Sequence, residues 1–423
     1  MPLRNRLRGF AVDLSPLKQS RDYRLLFSST LISETGRQIT TVAVFFQIYR
    51  LTHSAAAVGL VGLVQLVALA VVAIGGGSIL DVFDRRKMLI FTQFGIATST
   101  ALLVAAAFMH KTPVLLIYAA AGLSAGFSGL SGPTRSAILP NLVDKDKISS
   151  ALALNQVMWN TTMLVGPAIA GVVIAQFGLR VAYLVDLVTY TASIYAALAM
   201  RPMKPVFVEG TTSSGFRAIG EGLSFLKGSK LILSTFAIDL IAMTFGMPRA
   251  LFPILADVQF HRGAEVVGLL FAAPAAGGII AAATSGWVSK VKRQGAAVLI
   301  AVALWGAGIT AFGLVGNRLL LALFFLAFAG AADVVSAVFR STMLQTESPD
   351  ELRGRANAVH ILVVAGGPRL GDFEAGLVAE AFDAPISVVS GGIACIVGCA
   401  LMALVVPNFR KYRYQRALES PHV

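Results

Sequence analysis

The feature that most restricts this chain is a succession of apolar runs. Each is about the length a helix needs to cross the ~30 Å hydrocarbon core of a bilayer. Twelve can be marked, at residues 25–49, 58–80, 88–109, 114–133, 152–176, 181–200, 231–256, 266–288, 296–316, 319–339, 358–381 and 386–406. Turn and breaker residues separate them, such as Lys111-Thr112-Pro113 and Gly316-Asn317-Arg318. Hydrophobic residues fill 56% of the 423 positions and charged ones 13%, where a soluble domain carries about 25% charged residues. That balance excludes a soluble globular fold and a disordered chain. An outer-membrane barrel is excluded too, because its strands alternate in polarity over about ten residues. The sequence therefore predicts an all-α membrane protein with twelve transmembrane helices. The first 24 residues are basic, contain Pro16 and lack a small-residue cleavage site. The first apolar run is expected to act as an uncleaved insertion signal.

The basic residues are distributed unevenly. Of 35 lysines and arginines, 27 fall in the two terminal segments and alternate connections, counting Arg135 and Arg340 as loop residues. The opposite connections hold five: Arg50, Lys111, Arg180, Arg262 and Arg318. Arg37, Arg249 and Arg369 lie inside the apolar runs. This asymmetry predicts that both termini are cytoplasmic. The net charge of +13 is thus a topology signal, and no nucleic-acid partner is expected. Cys395 and Cys399, four apart in one run, read as small helix residues, and no metal-ligand spacing is present.

The chain also repeats itself. Arg135-Ser136 and Arg340-Ser341 are 205 positions apart, and Gly166-Pro167 and Gly367-Pro368 are 201 apart. Gly77 and Gly286 each precede a basic loop after the second run of a half. Three matches in order predict two six-helix pseudo-repeats. The expected divisions are a cytoplasmic segment 1–24, a bundle 25–200, a cytoplasmic linker 201–230, a bundle 231–406 and a cytoplasmic tail 407–423. Paired repeats with a site near the midplane are the architecture of many secondary transporters.

Gly77-Ser78-Ile79-Leu80-Asp81-Val82-Phe83-Asp84-Arg85-Arg86-Lys87 resembles the loop 2–3 signature of the major facilitator superfamily. Gly166-Pro167 with Ala170-Gly171 resembles the helix 5 motif of its proton-coupled exporters. Within the superfamily the chain is similar to the siderophore-exporter and drug:proton antiporter branch. The stretches Leu251-Phe252-Pro253-Ile254-Leu255-Ala256-Asp257 and Thr342-Met343-Leu344-Gln345-Thr346 carry that similarity. Two positions depart from the loop signature: Val82 stands where a base is usual, and Asp84 where a glycine is common. The resemblance implies a cytoplasmic gate formed by Gly77, Asp81, Arg85 and Arg86. It implies helix-bend motifs at Gly166, Pro167 and Gly171, and at Gly367 and Pro368, the second copy altered by Arg369. It also implies a bacterial cytoplasmic (inner) membrane location.

Ionised groups inside spans are costly and mark function or structural pairing. The candidates are Glu34, Arg37, Asp186, Asp239, Arg249, Asp333, Arg369, Asp372 and Glu374. Glu34 and Arg37 share a helix face through their spacing of three. In the superfamily, helices 1, 4, 7 and 10 line the cavity. Glu34 and Asp239 are therefore expected to couple transport to protons. Arg37, Gln47, Asn155, Gln156, Trp159, Arg249, Asp333 and Arg369 are expected to line the substrate cavity, with Asn160 beside them. The competing reading is that these charges are pairs that hold helices together. Midspan guanidiniums suit an anionic or polyphenolic substrate. The expected activity is export of a siderophore or similar amphipathic small molecule by alternating access and proton antiport. Broad multidrug efflux is the alternative, and lipid flipping a remote one. No GxxxxGK[ST] or HExxH motif is present, so neither enzyme chemistry nor ATP hydrolysis is expected. The proton gradient is the expected energy source, with no cofactor, and a monomer is expected.

Overall fold

The computed structural model describes residues 13–202, 229–348 and 350–413. The long helices run α1 (Arg21–Thr52), α2 (Ala55–Val82), α3 (Arg85–Phe108) and α4 (Val114–Leu142). Ile148–Ala199 is a continuous helical run interrupted only at Gly178, whose φ of 79° is a left-handed conformation that glycine adopts without steric cost. It divides into α5 (148–177) and α6 (179–199). The second half holds α7 (Lys230–Phe245), α8 (Ala264–Ala283), α9 (Gln294–Leu314), α10 (Leu319–Glu347), α11 (Asp350–Ala381) and α12 (Ala384–Val405). These are twelve rods among the described residues.

Nine helices among the described residues are long and apolar enough to cross a membrane on length and composition alone, with the Ile148–Ala199 run inside one of them. The rods outside that set are α1 and α11, which carry Glu34 with Arg37 and Arg369 with Asp372 and Glu374. Polar side chains such as Thr92, Gln93, Ser99, Thr100 and Ser336 are buried, whereas Leu320 is 83% and Leu115 76% exposed. Such an apolar exterior suits contact with lipid tails, and the polar groups turn inward to find partners.

Local chemistry sets several helix ends. Asp84 caps α3, accepting from the backbone N–H groups of Arg86 and Lys87, so the residue that departs from the loop signature acts as an N-cap. Asp383 caps α12 in the same way through Ile386 N–H at 2.6 Å, with Pro385 in the first turn. Arg180, just past the Gly178 break, donates to the Ala107 carbonyl at 3.0 Å and lies over the Phe108 ring. It thereby satisfies the carbonyl end of α3.

Several helix ends differ from the sequence expectation. The fourth span is expected to end at residue 133, but α4 continues through Pro133 and Pro140 to Leu142. A proline removes one backbone donor, and within a packed membrane bundle that loss is absorbed by neighbours. Arg340 was expected to end the tenth span, but α10 continues through it to Glu347. The seventh span is also discontinuous. After Phe245 the chain breaks at Gly246–Pro248, then resumes as the short turns Arg249–Leu251 and Phe252–Ile254 and a π-turn, Leu255–Gln259.

By packing, the described chain forms two compact units. One holds the residues up to Val44 and from Val67 to 202; the other holds Phe45–Leu66 and the residues from 229 onward. In the first, α3 packs on α4 and on the Ile148–Ala199 run. In the second, α10 packs on α8 and α9, α9 on α12, and α11 on α7. Small residues allow the closest crossings. A side chain at Gly277 would strike the Ala327 carbonyl, and one at Gly330 the Pro274 carbonyl, so α8 and α10 touch backbone to backbone.

Candidate transport site

In the first unit, α1 places Glu34 and Arg37 on one face. Arg37 Nε donates to Glu34 Oε2 at 2.7 Å, and the other carboxylate oxygen accepts from Arg135 Nη1 of α4 at 2.8 Å. One carboxylate, 13% exposed, thus lies between two guanidiniums, a cluster of formal charge +1. The Arg37 guanidinium lies 5.9 Å from the centre of the Trp159 ring, and Trp159 is 44% exposed. This is a partly exposed aromatic face with a cation over it.

The second unit carries the inverse arrangement. Arg340 of α10 donates to Asp239 of α7 and lies 3.5 Å from Asp333 on its own helix. One guanidinium, 5% exposed, stands between two carboxylates, of which Asp239 is 2% exposed. The formal charge is −1.

The two clusters are copies of one device. Arg135 follows Glu34 by 101 residues, and Arg340 follows Asp239 by 101. Both members are displaced by the 205 positions that separate Arg135-Ser136 from Arg340-Ser341. The sequence treated Arg135 and Arg340 as loop charges. They stand inside helices, because each meets a carboxylate from the first rod of its half and is not left to the solvent. Extending the offset to the in-span carboxylates would have found both pairs. A buried ion pair of this kind holds its register because removing either partner leaves an uncompensated charge.

The remaining candidates scatter. Arg249, in the turn after the α7 break, donates to Asp372 of α11 at 2.6 Å. Arg369 donates to the Ala365 carbonyl one turn back on α11. Asp186 of α6 accepts from threonine hydroxyls on α1 and α3. Glu374 is half-buried on α11 and Gln47 is buried on α1. Asn155 accepts from the Tyr23 hydroxyl at 3.3 Å, and Gln156 donates to Asn160 at 3.1 Å. A cavity of about 510 Å³ lined by Arg21, Asp22, Asn141, Asp144, Lys147 and Arg201 lies where α1 begins, without reaching Glu34.

Of the gate motif, the surroundings of Gly77 and the side chain of Asp81 lie outside what the structure describes. Arg85 donates to the Ala137 carbonyl, and Arg86 to the carbonyls of Ala197 and Leu198. Arg85 therefore fastens the start of α3 to α4, and Arg86 fastens it to the last turn of α6, where carbonyls lack helical partners. The glycines of the helix-bend motifs serve close approach. A Cβ at Gly166 would lie 2.5 Å from that of Gln38 on α1, and one at Gly367 2.9 Å from that of Met243 on α7. Pro167 and Pro368 lie within helices, and Gly171 is buried.

Twelve rods whose two halves repeat the same first-to-fourth-helix ion pair define a secondary transporter of the major facilitator type. Solved structures of low sequence similarity share the fold. The nucleoside transporter NupG superposes with a TM-score of 0.75 over 92% of this chain and all of its own, at 10% identity. A bacterial homologue of the lysosomal transporter Spinster gives 0.72 over 94% and 98% of the two chains, at 14% identity. A bacterial homologue of the iron transporter ferroportin gives 0.68 over 92% and 98%, at 15% identity. Residues 11–420 match the family described as transmembrane secretion effector, and the chain belongs to that family of major facilitator transporters. It is 26% identical over 406 residues to the enterobactin exporter EntS of Escherichia coli O1:K1, covering 96% of each chain. The same identity and coverage hold for the enterobactin exporter of Shigella boydii serotype 18. The protein is a multi-pass membrane transporter of small molecules and not an enzyme.

Proposed function

We propose that this protein exports a siderophore or a similar amphipathic, anion-bearing molecule across the bacterial inner membrane in exchange for protons. The observation that carries the reading is its similarity, over nearly its whole length, to enterobactin exporters. The first-unit cluster supports the substrate class. Its formal charge is +1, and Trp159 offers a ring beside Arg37, so an aromatic or carboxylate group finds both a cation and a π face. Glu34 and Asp239 are the carboxylates assigned to coupling. Each meets the arginine that the repeat supplies, so proton uptake and substrate binding compete for the same guanidinium. Both termini are assigned to the cytoplasm from the distribution of basic residues. The energy source is the proton gradient, with no cofactor, and one chain forms the working unit.

The test is transport in sealed proteoliposomes with an imposed pH gradient, using a panel of siderophores and a panel of cationic dyes. Accumulation of siderophores that collapses with the gradient supports the reading. Efflux of the dyes alone would move the protein to the multidrug class. Undiminished gradient-driven transport by a Glu34→Gln, Asp239→Asn variant would remove those residues from coupling.

A further inference from the structure

Asp186 differs from the carboxylates of the ion clusters. Glu34, Asp239, Asp333 and Asp372 each face an arginine within ion-pair distance. Asp186, on α6 and 1% exposed, forms no ion pair among the described residues and is enclosed by hydroxyls. Thr40 of α1 donates to its Oδ2 at 2.6 Å and Thr100 of α3 to the same oxygen at 3.1 Å. Thr189 Oγ1 lies 3.4 Å from Oδ1. Gly36 closes the fourth side: a Cβ there would fall 2.6 Å from Oδ1, so only glycine lets α1 lie against this carboxylate.

Ionised and without a contacting cation, such a group is expensive to bury. Binding a cation removes the cost. The hydroxyls stand at hydrogen-bond distance from the carboxylate, which leaves no space for a coordinated metal ion between them; the cation that fits is a proton. The charged and titratable groups facing Asp186 are Arg37 of α1 and Tyr190 one turn further along α6. Beyond these stand Glu34 of α1 and Arg135 of α4, and α3 presents Thr100. Arg37 is the shared element: it bonds Glu34 and lies within electrostatic reach of Asp186.

We propose that Asp186, caged by Thr40, Thr100 and Thr189, is a second proton-binding site of the transporter, coupled through Arg37 to the Glu34 cluster. With Asp186 ionised, Arg37 divides its field between two carboxylates. With Asp186 protonated, Arg37 is left to Glu34 or to an anionic substrate group. The inference rests on the proton-exchange reading for its role in transport, but proton binding itself is measured without transport.

The experiment is infrared difference spectroscopy of the purified, reconstituted protein across a pH titration, following the C=O band of protonated carboxyl groups. The expected result is a titrating band that disappears in Asp186→Asn and survives in Glu34→Gln and Asp239→Asn. Thr100→Val and Thr40→Val keep the carboxylate while removing a donor to its charged form, so each should move the midpoint to higher pH. They carry the test if Asp186→Asn does not fold. A band unchanged by Asp186→Asn, or midpoints unmoved by both threonine variants, overturns the site, as does a band that answers to sodium and not to pH. In proteoliposomes, Asp186→Asn is expected to lose accumulation driven by a pH gradient while keeping substrate-for-substrate exchange. Wild-type pH-driven accumulation by that variant overturns the coupling through Arg37. Failure of the wild type to respond to a pH gradient, with the infrared result intact, would instead count against the proton-exchange reading.

Discussion

At the scale of single residues, the two ion clusters make opposite demands. Glu34 has two cations and can lose either with one remaining. Arg340 serves Asp239 and Asp333, so Arg340→Leu leaves the buried Asp239 and the partly exposed Asp333 without their arginine. Breaking a buried pair from one side costs about 3–5 kcal/mol, and a loss of that size in thermal denaturation is expected. Adding Asp239→Asn to Arg340→Leu should recover part of the loss; a double variant as unstable as Arg340→Leu, or worse, contradicts the pairing. Asp13, ahead of the first span, makes a different kind of contact. The backbone and hydroxyl of Ser15, then Ser150 and Lys147, hold its carboxyl down from the usual 3.8 to about 2. A depressed carboxyl contributes stability above its ordinary range and loses it as pH falls through the folded value. The tie between the N-terminal segment and the start of α5 should therefore persist at pH 4 and fail towards pH 2. An NMR titration of the Asp13 carboxyl carbon checks this, and a midpoint at the usual value would refute it.

At the scale of elements, backbone proximity decides what the rods tolerate. The α8–α10 crossing depends on Gly277 and Gly330 meeting carbonyls of the partner helix. Gly277→Val forces the helices apart, and the expected outcome is loss of monodisperse protein on size exclusion after detergent extraction. Gly132→Ala, where a Cβ meets nothing within 4 Å, should behave as wild type. The broken α7 follows the same logic. Gly371 lets α11 approach the carbonyls of Met243 and Thr244 just before the break, and Arg249 just after it reaches Asp372. One short stretch of α11 thus holds both sides of the discontinuity, as irregular backbone in a membrane protein requires.

At the scale of the whole molecule, the tip of the first hairpin matters most. Phe45–Leu66 packs with the second unit although its sequence belongs to the first half. The Tyr49 hydroxyl donates to Asp257 at 2.9 Å, Ser54 to Glu380 at 2.9 Å, and the Ala56 N–H to the same Glu380 oxygen at 3.1 Å. Gly59 and Gly62 let α2 lie on the backbone of α11 at Asp372 and Arg369. Under the proposed orientation these contacts are at the outer end, and alternating access requires them to part. Cysteines introduced at Ser54 and Glu380 should cross-link on oxidation, stop transport, and release it on reduction. The native Cys395 and Cys399 are buried and provide a quiet background. Transport that continues through a complete cross-link would show that this contact never opens.

Hydropathy and spacing alone determined the membrane class, twelve rods, the duplication and the nine ionised side chains placed within spans. These are local properties, readable along the chain because a bilayer imposes length and polarity on every rod it contains. Tertiary structure alone decided the partners. Arg135 and Arg340 look like loop charges until the carboxylates 101 residues earlier stand against them. Asp186 looks like another ion-pair candidate until Thr40 and Thr100 close around it. The end of the seventh span looks continuous until the chain breaks at Gly246. In each case the deciding contact comes from a different helix, and no local pattern states which helix faces which.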